Sequence, residues 1–179
     1  MSFDKVPAGK DAPEDIYVII ENPMRVAHLK YEVDKDTDAL FVDRFMPMPM
    51  VFPAHYGYIN KTLGGDGDPV DAFVYTDVPV TPGCVIRARP VGVLMTEDES
   101  GEDPKLICVP HKKLDPRYES IKDVNDLDEL FKKQMEQFYE NYKNLEDGKW
   151  VKVSGWGTAE DAKRFITEGI TRLGKPEAA

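Results

Sequence analysis

The sequence predicts an α+β fold, a small antiparallel β-barrel with helices against one side, and three observations support this prediction. Residues 1–110 hold several short runs rich in β-branched and aromatic residues, separated by Gly, Pro and Asp. Most of the 14 prolines and 13 glycines fall in this part, as many tight connections require. Residues 111–179 instead carry two stretches with helical periodicity. No linker or repeat separates these parts, so we expect one domain over 1–179.

The strand predictions follow the chain in order. Residues 16–21 form an apolar strand, and 30–33 and 39–45 form a hairpin around the polar turn 34–38. Further strands are expected at 71–75, 84–89, 91–95 and 106–109, with a returning strand at 149–156. Many short strands between turn signals are typical of a small barrel or sandwich.

Two helices are expected after most of the strands. Asp126 is positioned to cap the first, with Glu129 as its third residue. Mostly apolar side chains recur every three or four residues along about five turns, namely Leu127, Leu130, Phe131, Gln134, Phe138, Tyr142 and Leu145. Thr158 opens the second helix, which Gly174 and Pro176 close. Its apolar side consists of Phe165, Ile166, Ile170 and Leu173.

Composition and charge exclude several classes of partner. The 179 residues include 23 basic and 33 acidic side chains, a net charge of −10 at pH 7. Binding to nucleic-acid phosphates or to an anionic membrane needs a basic face, so we expect neither partner. No apolar run approaches the ~20 residues of a spanning helix, and no hydrophobic leader is visible. Cys84 and Cys108 lie in apolar runs and are expected to be buried free thiols, which indicates a cytoplasmic protein.

An acidic turn is the strongest chemical signal. The motif D-G-D-P-V-D at 66–71 places three carboxylates within six residues, just before a predicted strand. Such crowding is unfavourable unless a cation neutralises it. An EF-hand loop is excluded, because Val70 and Asp71 fall where that loop needs a ligand and a glycine. Asp, Gly and Pro also form ordinary turns, so a solvated turn stays open as the alternative.

A second acidic segment, 97–103, has five acidic residues among seven and lies between two predicted strands. By itself it indicates a charged hairpin tip. If the strands bring both acidic turns to the same barrel end, the turns form a pocket for several divalent cations, and oxygen ligands favour Mg²⁺ or Mn²⁺ over Zn²⁺. His28, His55 and His111 share no metal-ligand spacing, so we expect surface or structural roles for them.

Polar and charged side chains on the strands offer partners for an anion and its cations. Lys30 and Glu32 alternate with other residues and therefore share one strand face. Glu21 ends an apolar strand, and Arg44 lies within the following hairpin. Each of these also fits a plain solvent-facing position. The first helix adds two candidates, for which a core tyrosine and a surface lysine stay open as alternatives: Tyr142 and Lys143.

Further motifs occur in order along the chain. They are V-P-A-G-K-D-x-P-E-D-I-Y-V at 6–18, K-Y-E at 30–32, A-L-F-V-D-R at 39–44, Y-G-Y-I at 56–59, R-P-V-G-V-L at 89–94, G-E-D-x-K at 101–105, I-K-D-V-N-D-L at 121–127 and Y-K at 142–143. Together with D-G-D-P-V-D they closely resemble the family I soluble inorganic pyrophosphatases of the short bacterial type. Several independent motifs in order make chance a poor explanation. The chain beyond Gly157 matches least and is interpreted as a packing helix only.

The resemblance implies an OB-like five-stranded antiparallel β-barrel with flanking α-helices. It also implies an enzyme, an inorganic diphosphatase that hydrolyses pyrophosphate to two phosphates by Mg²⁺-dependent attack of a metal-activated water. Several Mg²⁺ ions are implied per active site, with Mn²⁺ or Zn²⁺ as substitutes. Metals and cationic side chains are what so compact an anion requires, because they neutralise the charge that develops on the leaving phosphate.

Carried over by position, the resemblance gives each candidate residue a role. The implied metal ligands are Asp66, Asp71, Asp98, Asp103 and, mostly through water, Glu21. The implied general base for the attacking water is Asp68. The implied phosphate contacts are Lys30, Arg44, Tyr56, Lys105, Tyr142 and Lys143. Glu32 and Glu99 are implied to hold these site residues in place without contacting metal or substrate themselves.

The resemblance also implies a homohexamer built from two trimers, the usual assembly of family members of this length. The chain departs from many bacterial relatives in its long helix, where Gln137 and Asn141 replace histidines near subunit contacts. This departure leaves the details of assembly open and does not touch the pocket. Phe52 and His55 also differ from the common residues before Tyr56, with little expected effect.

Three other functions remain as alternatives. A nucleic-acid-binding barrel without catalysis disagrees with the net charge of −10 and with the lack of aromatic residues interleaved with basic ones. A calcium-binding structural module leaves the strand lysines and Arg44 without a purpose, and metal choice separates it from the enzyme. A nucleotide pyrophosphohydrolase is the enzymatic alternative, although no adenine or ribose pocket is visible.

Overall fold

A computed structural model of the chain describes residues 3–26 and 28–174. Its strands are β1 (Gly9–Asp11), β2 (Asp15–Asn22), β3 (Leu29–Val33), β4 (Leu40–Phe45), β5 (His55–Ile59), β6 (Val70–Val74), β7 (Val85–Asp98), β8 (Gly101–Glu102), β9 (Lys105–Pro110) and β10 (Val151–Gly157). Its α-helices are α1 (Glu129–Asn141), before β10, and α2 (Ala159–Leu173), after it. Neither of these described helices is long and apolar enough to cross a membrane.

Five of the strands close into a barrel. β2 pairs with β5, β5 with β6, β6 with β9, β9 with β7, and β7 pairs again with β2. The predicted five-stranded barrel is therefore confirmed. One detail is wrong, because β6 and β9 run parallel while the other four pairs are antiparallel. The physical reason is geometric: strand direction cannot alternate around a closed ring with an odd number of strands.

The remaining strands extend or flank the barrel. β1 pairs with β2, β8 and β10 pair with β7, and β3 and β4 form a separate hairpin. The two strands predicted at 84–89 and 91–95 are one strand, β7, whose register shifts between Pro90 and Gly92. Proline cannot donate a ladder hydrogen bond, and this irregularity lets the strand continue through Pro90.

β5 was not predicted as a strand, although it is a member of the barrel. Its glycine, Gly57, lies where a Cβ atom would stand 1.8 Å from the Ile19 carbonyl oxygen, so only glycine allows β5 to approach β2. His55 begins β5 and is fully buried. Its Nδ1 accepts from the Met24 N–H at 3.1 Å and its Nε2 lies 2.9 Å from the Val78 carbonyl, which confirms a structural role.

The barrel interior is filled by apolar residues from all five strands. Val18 and Ile20 contribute from β2, and Leu106 and Cys108 contribute from β9. Helix α2 covers this core by inserting apolar side chains, chiefly Ala162 and Ile166. The predicted Thr158 cap is confirmed, since its side chain accepts from the Asp161 N–H and Asp161 binds back to the Thr158 backbone. Gly174 follows α2 as predicted, and Pro176 lies outside the described residues.

Helix α1 packs on the outer surface of the barrel. The helix packs against Phe73 and Ile107, whose side chains face away from the barrel interior. Its own buried residues are Phe131, Met135, Phe138 and Tyr139. The predicted cap is wrong, because Asp128 accepts from the Phe131 N–H. Asp126 is instead the last residue of a preceding 3₁₀ turn, where its side chain accepts from the Lys122 and Asp123 N–H groups. The helix is also shorter than predicted. Two of the side chains expected on its apolar side, Leu130 and Leu145, are exposed.

Of the two predicted buried thiols, Cys108 is buried and Cys84 is half-buried.

An ion pair holds the β2–β7 seam of the barrel. Arg87 donates to Asp15 through Nε at 2.8 Å and through Nη2 at 2.5 Å, and both side chains are largely buried. The hydrogen bonds from Arg87 outweigh the effect of burial and lower the pKa of Asp15 below its usual range. The pair is therefore expected to stabilise the fold above that range.

Asp15→Asn should lower the free energy of unfolding by about 2 kcal/mol at pH 7, because it removes charge-assisted hydrogen bonds. The folded pKa is depressed, so the wild-type contribution is present above the unfolded pKa of about 3.9 and is lost as the pH falls below it. The free energies of unfolding of the two proteins in urea should therefore converge as the pH falls below about 4, toward the lowered pKa of Asp15. Asp4→Asn breaks the exposed pair with Lys61 and should change the midpoint little. Equal midpoints for wild type and Asp15→Asn at pH 7 would contradict the prediction.

Candidate active site

Strand alternation places a set of charged side chains on the outer surface of the barrel. Asp71 lies between Val70 and Ala72, which belong to the interior core, so its carboxylate faces outward. The same alternation turns Glu21 of β2 and Lys105 of β9 outward. These strands, the β3–β4 hairpin and the end of α1 line a cavity of about 370 Å³. The acidic turns before β6 and after β7 both reach it.

The cavity brings together every predicted site residue except Glu99. The predicted residues in its lining are Glu21, Lys30, Glu32, Arg44, Tyr56, Asp66, Asp68, Asp71, Asp98, Asp103, Lys105, Tyr142 and Lys143. Glu32, predicted to stand behind the site, lines the cavity itself. Glu99 is absent from the lining and contacts Lys143, which lines the cavity. The roles of these residues stay predictions, since proximity alone assigns none.

A buried ammonium group joins two of the carboxylates. Lys105 Nζ donates to Asp71 and to Asp103, and the lysine is only 5% exposed. Burial disfavours the charged lysine, but the two carboxylates outweigh burial and raise the pKa of Lys105 above its usual value. Burial, with help from the charge of Asp71, raises the pKa of Asp103 against the opposing effect of Lys105. One ammonium therefore leaves the two carboxylates incompletely neutralised, which favours a further cation.

Glu21 is the most deeply buried carboxyl group of the cavity. Its residue is 6% exposed, and its Oε1 accepts a hydrogen bond from the Val33 N–H at 2.8 Å. Burial raises the pKa of Glu21 to about 8, and the nearby charge of Asp71 adds to the effect. Without a cation beside it, Glu21 is therefore protonated at neutral pH.

The loop before β6 presents Asp66 and Asp68. Gly67 within it has φ of +92°, which favours glycine and allows the tight bend. Asp66 Oδ1 accepts from the Asp68 N–H at 3.0 Å, and the Gly64 N–H donates to the Asp68 carbonyl at 2.5 Å. Asp68 Oδ1 lies 2.5 Å from Lys35 Nζ, and its side chain is 68% exposed. Asp68 is thus open to water, as a group that exchanges a proton with water must be.

Lys143 enters the cavity from the end of α1. Its Nζ lies 2.8 Å from Asp98 and 3.6 Å from Glu99, and the residue is buried, so the alternative of a plain surface lysine is wrong. Burial acts to raise the pKa of Glu99, but hydrogen bonds, first from Lys149, and the charge of Lys143 lower it to about 2. Glu99 therefore remains ionised and holds both lysines beside the cavity.

Lys30 and Arg44 reach the cavity from the β3–β4 hairpin. Lys30 Nζ lies 3.2 Å from Glu32 and 3.5 Å from Asp43. Arg44 Nη1 lies 3.5 Å from Glu146, while its buried Nε makes no hydrogen bond to any residue that the structure describes. A buried donor without an acceptor is energetically costly. An anion in the cavity offers the acceptor that Arg44 Nε lacks.

Aromatic rings form the apolar part of the lining. Tyr56 stacks on Phe52 with centroids 5.4 Å apart, and Tyr142 stacks on Phe138 with centroids 5.0 Å apart. Burial raises the pKa of both tyrosines above the usual value. Their hydroxyls therefore keep their protons at neutral pH and can donate to an anion. Tyr142 satisfies both interpretations of the sequence, since it packs against the core and lines the cavity.

Sequence reasoning missed several residues of the lining. Those with polar side chains are Lys35, Tyr58, Ser100, Tyr139 and Lys149. Lys35 lies in a turn made of charged residues, which by itself indicates only a solvated hairpin tip. Its approach to Asp68 joins residues far apart in the chain, and no local pattern signals such a contact.

The donor set fits small, hard divalent cations. The acidic residues of the lining are all oxygen donors, and no three Asp, Glu, His or Cys side chains within 3–26 and 28–174 form a preassembled metal cluster. Mg²⁺ is usually held by one or two carboxylates, while water and substrate phosphates complete its octahedron. Carboxylates spaced around an open cavity suit that mode, and Lys105 already stands as a cation between Asp71 and Asp103.

An OB-like barrel that carries such a cavity defines a class of enzyme, hydrolases that act on phosphate groups with divalent metals and cationic side chains. The family model described as inorganic pyrophosphatase matches residues 18–174. The chain belongs to the inorganic pyrophosphatase family. The resemblance inferred from the sequence motifs is thereby confirmed.

Individual relatives agree with the family model over nearly the full chain. The inorganic pyrophosphatase of Pseudomonas aeruginosa is 58% identical over 175 residues, 98% of this chain and 100% of that protein. The one from Escherichia coli K12 is 60% identical over 172 residues, 96% of this chain and 98% of that protein. Among solved structures, inorganic pyrophosphatase from Thermus thermophilus matches with a TM-score of 0.92 and 39% identity, covering 98% and 100% of the two chains. The OB-like fold with flanking helices is therefore confirmed.

In the presence of EDTA, Glu21→Gln should remove a pH-dependent loss of stability. The folded pKa of about 8 exceeds the unfolded value of about 4.3, so the folded state binds the extra proton and wild-type stability falls as the pH rises between them. The loss approaches about 1.4 kcal/mol per pH unit, and the glutamine amide, whose oxygen still accepts from Val33, avoids it.

Urea unfolding at about pH 5 and about pH 8 measures this effect. Glu21→Gln should become more stable than wild type at the higher pH and lose this advantage at the lower pH. Glu32→Gln, which changes a more exposed glutamate of the same cavity, is the matched control and should follow wild type. A constant difference between Glu21→Gln and wild type at both pH values would contradict the prediction.

Proposed function

We propose that this chain hydrolyses inorganic pyrophosphate to two phosphates in the cavity beside β6 and β9, with Mg²⁺ as the divalent metal. The observation that carries the proposal is the meeting of both acidic turns with buried cationic side chains in one cavity, in a chain of the inorganic pyrophosphatase family. Carboxylates suit the metal, and lysine, arginine and tyrosine side chains suit the phosphates. The carboxylates and the phosphate-binding side chains line the same cavity, so the metal and the anion neutralise each other's charge there.

The carboxylates divide between metal sites. Asp66, Asp71 and Asp103 would hold two Mg²⁺ ions, with Glu21 acting mostly through water. Asp98 and Asp103 would hold a further ion that accompanies the substrate. When bound, these cations lower the pKa of a water molecule and neutralise charge on the phosphate oxygens. Mn²⁺ and Zn²⁺ are the expected substitutes for Mg²⁺.

Asp68 is the residue that takes the proton from the attacking water. Its carboxylate is exposed, and its only ion pair among the described residues joins it to the equally exposed Lys35. Hydrogen bonds within the 64–68 loop fix its backbone, so the carboxylate is oriented while it remains accessible. A carboxylate that bound metal directly would be a weaker base, because the cation stabilises its ionised form.

The basic and aromatic residues hold and neutralise the two phosphates. Arg44 presents a planar fork whose Nε lacks a hydrogen-bond partner in the described chain, which suits two phosphate oxygens. Lys30 and Lys143 act as point charges from opposite elements, the hairpin and the end of α1. Tyr56 and Tyr142 donate their hydroxyl hydrogens, since both remain protonated at neutral pH.

Phosphate release from pyrophosphate tests the function and the role of Asp68 together. Wild type should release phosphate with Mg²⁺, poorly with Ca²⁺ and not without metal, because the transfer needs compact octahedral coordination. Asp68→Asn should lower kcat at least about 100-fold, the usual contribution of a general base. Asp4→Asn is the matched control, since it also breaks an exposed Asp–Lys pair, and should retain activity.

Each contrary outcome of this assay rejects a defined part of the proposal. Full activity of Asp68→Asn would remove Asp68 from the proton transfer and keep the enzyme. Faster release from ATP than from pyrophosphate would favour a nucleotide hydrolase. A folded wild type inactive with every divalent metal would reject the pyrophosphatase function.

Arg44→Lys should reduce kcat/KM for pyrophosphate by about 10- to 100-fold, because lysine keeps the charge but loses the planar fork. Arg117→Lys is the control, since Arg117 pairs with Asp115 on the exposed surface and is absent from the cavity lining. Steady-state kinetics at saturating Mg²⁺ measures both variants. Wild-type kcat/KM in Arg44→Lys would show that the fork does not contact substrate.

Assembly and location complete the proposal. We propose a cytoplasmic homohexamer of two trimers, supported by large apolar side chains that the single chain leaves exposed, such as Phe41, Phe45 and Leu130. Free Cys84 and Cys108 suit a reducing compartment. Light scattering coupled to gel filtration measures the mass, and a monomer or dimer at working concentration would reject the hexamer.

A further inference from the structure

Helix α2 holds both backbone polar groups of Leu63. The Leu63 N–H donates to the Gly169 carbonyl at 3.0 Å, and the Leu63 carbonyl accepts from Arg172 Nη1 at 2.6 Å. Leu63 is where the chain enters the loop that carries Asp66 and Asp68. A helix interpreted from sequence as packing only therefore binds the backbone of the acidic loop directly.

Gly169 lets α2 touch both ends of this loop. A Cβ atom on Gly169 would stand 2.8 Å from Val70 Cγ2, 3.2 Å from Thr62 Cβ and 3.4 Å from the Leu63 carbonyl oxygen. Real Cβ atoms essentially never approach as closely as the first of these distances, so a side chain here would displace the loop or the helix. Thr62 precedes the loop and Val70 follows it, hence one turn of α2 sets the position of both ends.

Thr62 closes the base of the loop from the other side. Its hydroxyl donates to the Ile59 carbonyl at 2.6 Å and accepts from the Val70 N–H at 2.9 Å, and the residue is buried. The entry and exit of the loop are thus joined to each other and to α2. Beyond this base the loop has looser support, because a cavity of about 140 Å³ lies between α2 and the back of the loop. Above the tightly packed base, the hydrogen bond from Arg172 to the Leu63 carbonyl therefore connects α2 to the loop entry.

We propose that Arg172 and Gly169 are positioning residues, which set the distance between Asp66 on the loop and Asp71 on β6. This inference rests on the proposed function, in which these two carboxylates belong to the set that holds two Mg²⁺ ions. Neither Arg172 nor Gly169 lines the active-site cavity, so neither touches substrate. Loss of the Arg172 bond lets the loop entry move while β6 stays fixed in the barrel, and the separation of the two carboxylates widens. Metal affinity then falls before the chemical step is affected.

Calorimetric titration with Mg²⁺ in the absence of substrate tests the proposal. Arg172→Ala should weaken the tighter Mg²⁺ site about five- to tenfold, the effect of one hydrogen bond from a charged donor. Arg172→Lys should recover part of the affinity, since its ammonium can still donate to the Leu63 carbonyl. Arg164→Ala is the matched control from the same helix, because Arg164 contacts Asp161 and the Phe165 ring of α2 and makes no hydrogen bond to the described residues of the acidic loop. This variant should bind Mg²⁺ as wild type does.

Activity and stability separate positioning from general damage. In Arg172→Ala the Mg²⁺ concentration for half-maximal activity should rise by the calorimetric factor, while kcat at saturating Mg²⁺ and the Tm stay near wild type. Gly169→Ala should shift the same Mg²⁺ dependence in the same direction.

Two results would overturn the proposal. The first is Mg²⁺ affinity in Arg172→Ala equal to wild type, and the second is an equal loss in Arg164→Ala. If wild type binds Mg²⁺ but releases no phosphate, the proposed function fails separately, and the calorimetric comparison of the variants still decides the role of Arg172.

Discussion

The contact of Lys105 with Asp71 and Asp103 is the interaction on which the rest of the site depends, and it follows from the barrel's topology. Ala72 pairs with Leu106 across the parallel strands β6 and β9. Because the strands run in the same direction, the preceding residues, Asp71 and Lys105, are also neighbours and share the outward face. The parallel pair is required by closing a ring of five strands, so one geometric constraint places a carboxylate beside an ammonium group.

The contact of Lys105 with Asp71 and Asp103 also explains how ionised side chains can be buried in the site. An isolated buried carboxylate or ammonium is strongly disfavoured, and removing one partner of a buried pair typically costs about 3–5 kcal/mol. Lys105 satisfies two carboxylates at once, while Glu21, which lacks such a partner, keeps its proton to about pH 8. The barrel therefore supplies carboxylates paired with Lys105 and one carboxyl group, Glu21, whose charge appears only when a cation displaces its proton.

Local patterns in the sequence predicted those parts of the fold that depend on neighbouring residues. The β3–β4 hairpin and the Thr158 cap are examples, since turn chemistry and capping are decided within a few residues. The α1 cap was wrong because Asp126 and Asp128 are both good capping residues, and packing against the barrel decides between them. β5 was missed because its strand character comes from Gly57 fitting against β2, a contact that no local periodicity reveals.

In the candidate site, too, the sequence predicted the features that depend on neighbouring residues and missed those that depend on distant ones. Acidic turns and strand alternation indicated cations and a shared face, but the full set of residues came from resemblance to a family rather than from spacing. Lys35 beside Asp68 and Arg172 beside Leu63 were not predictable in either way, because each contact joins distant segments through one long side chain. From sequence alone such side chains are interpreted as solvated surface residues, and only the folded chain shows which residues they contact.

The charge balance of the cavity explains how a protein with net charge −10 can bind a compact anion. The lining holds seven acidic and six basic side chains, so it is close to neutral once Glu21 is protonated. A neutral cavity has little attraction for pyrophosphate, and the surrounding acidic surface repels it. The two divalent cations of the proposed function would change this balance by four charges, less one if Glu21 ionises. The charge of the lining therefore favours metal binding before pyrophosphate binding.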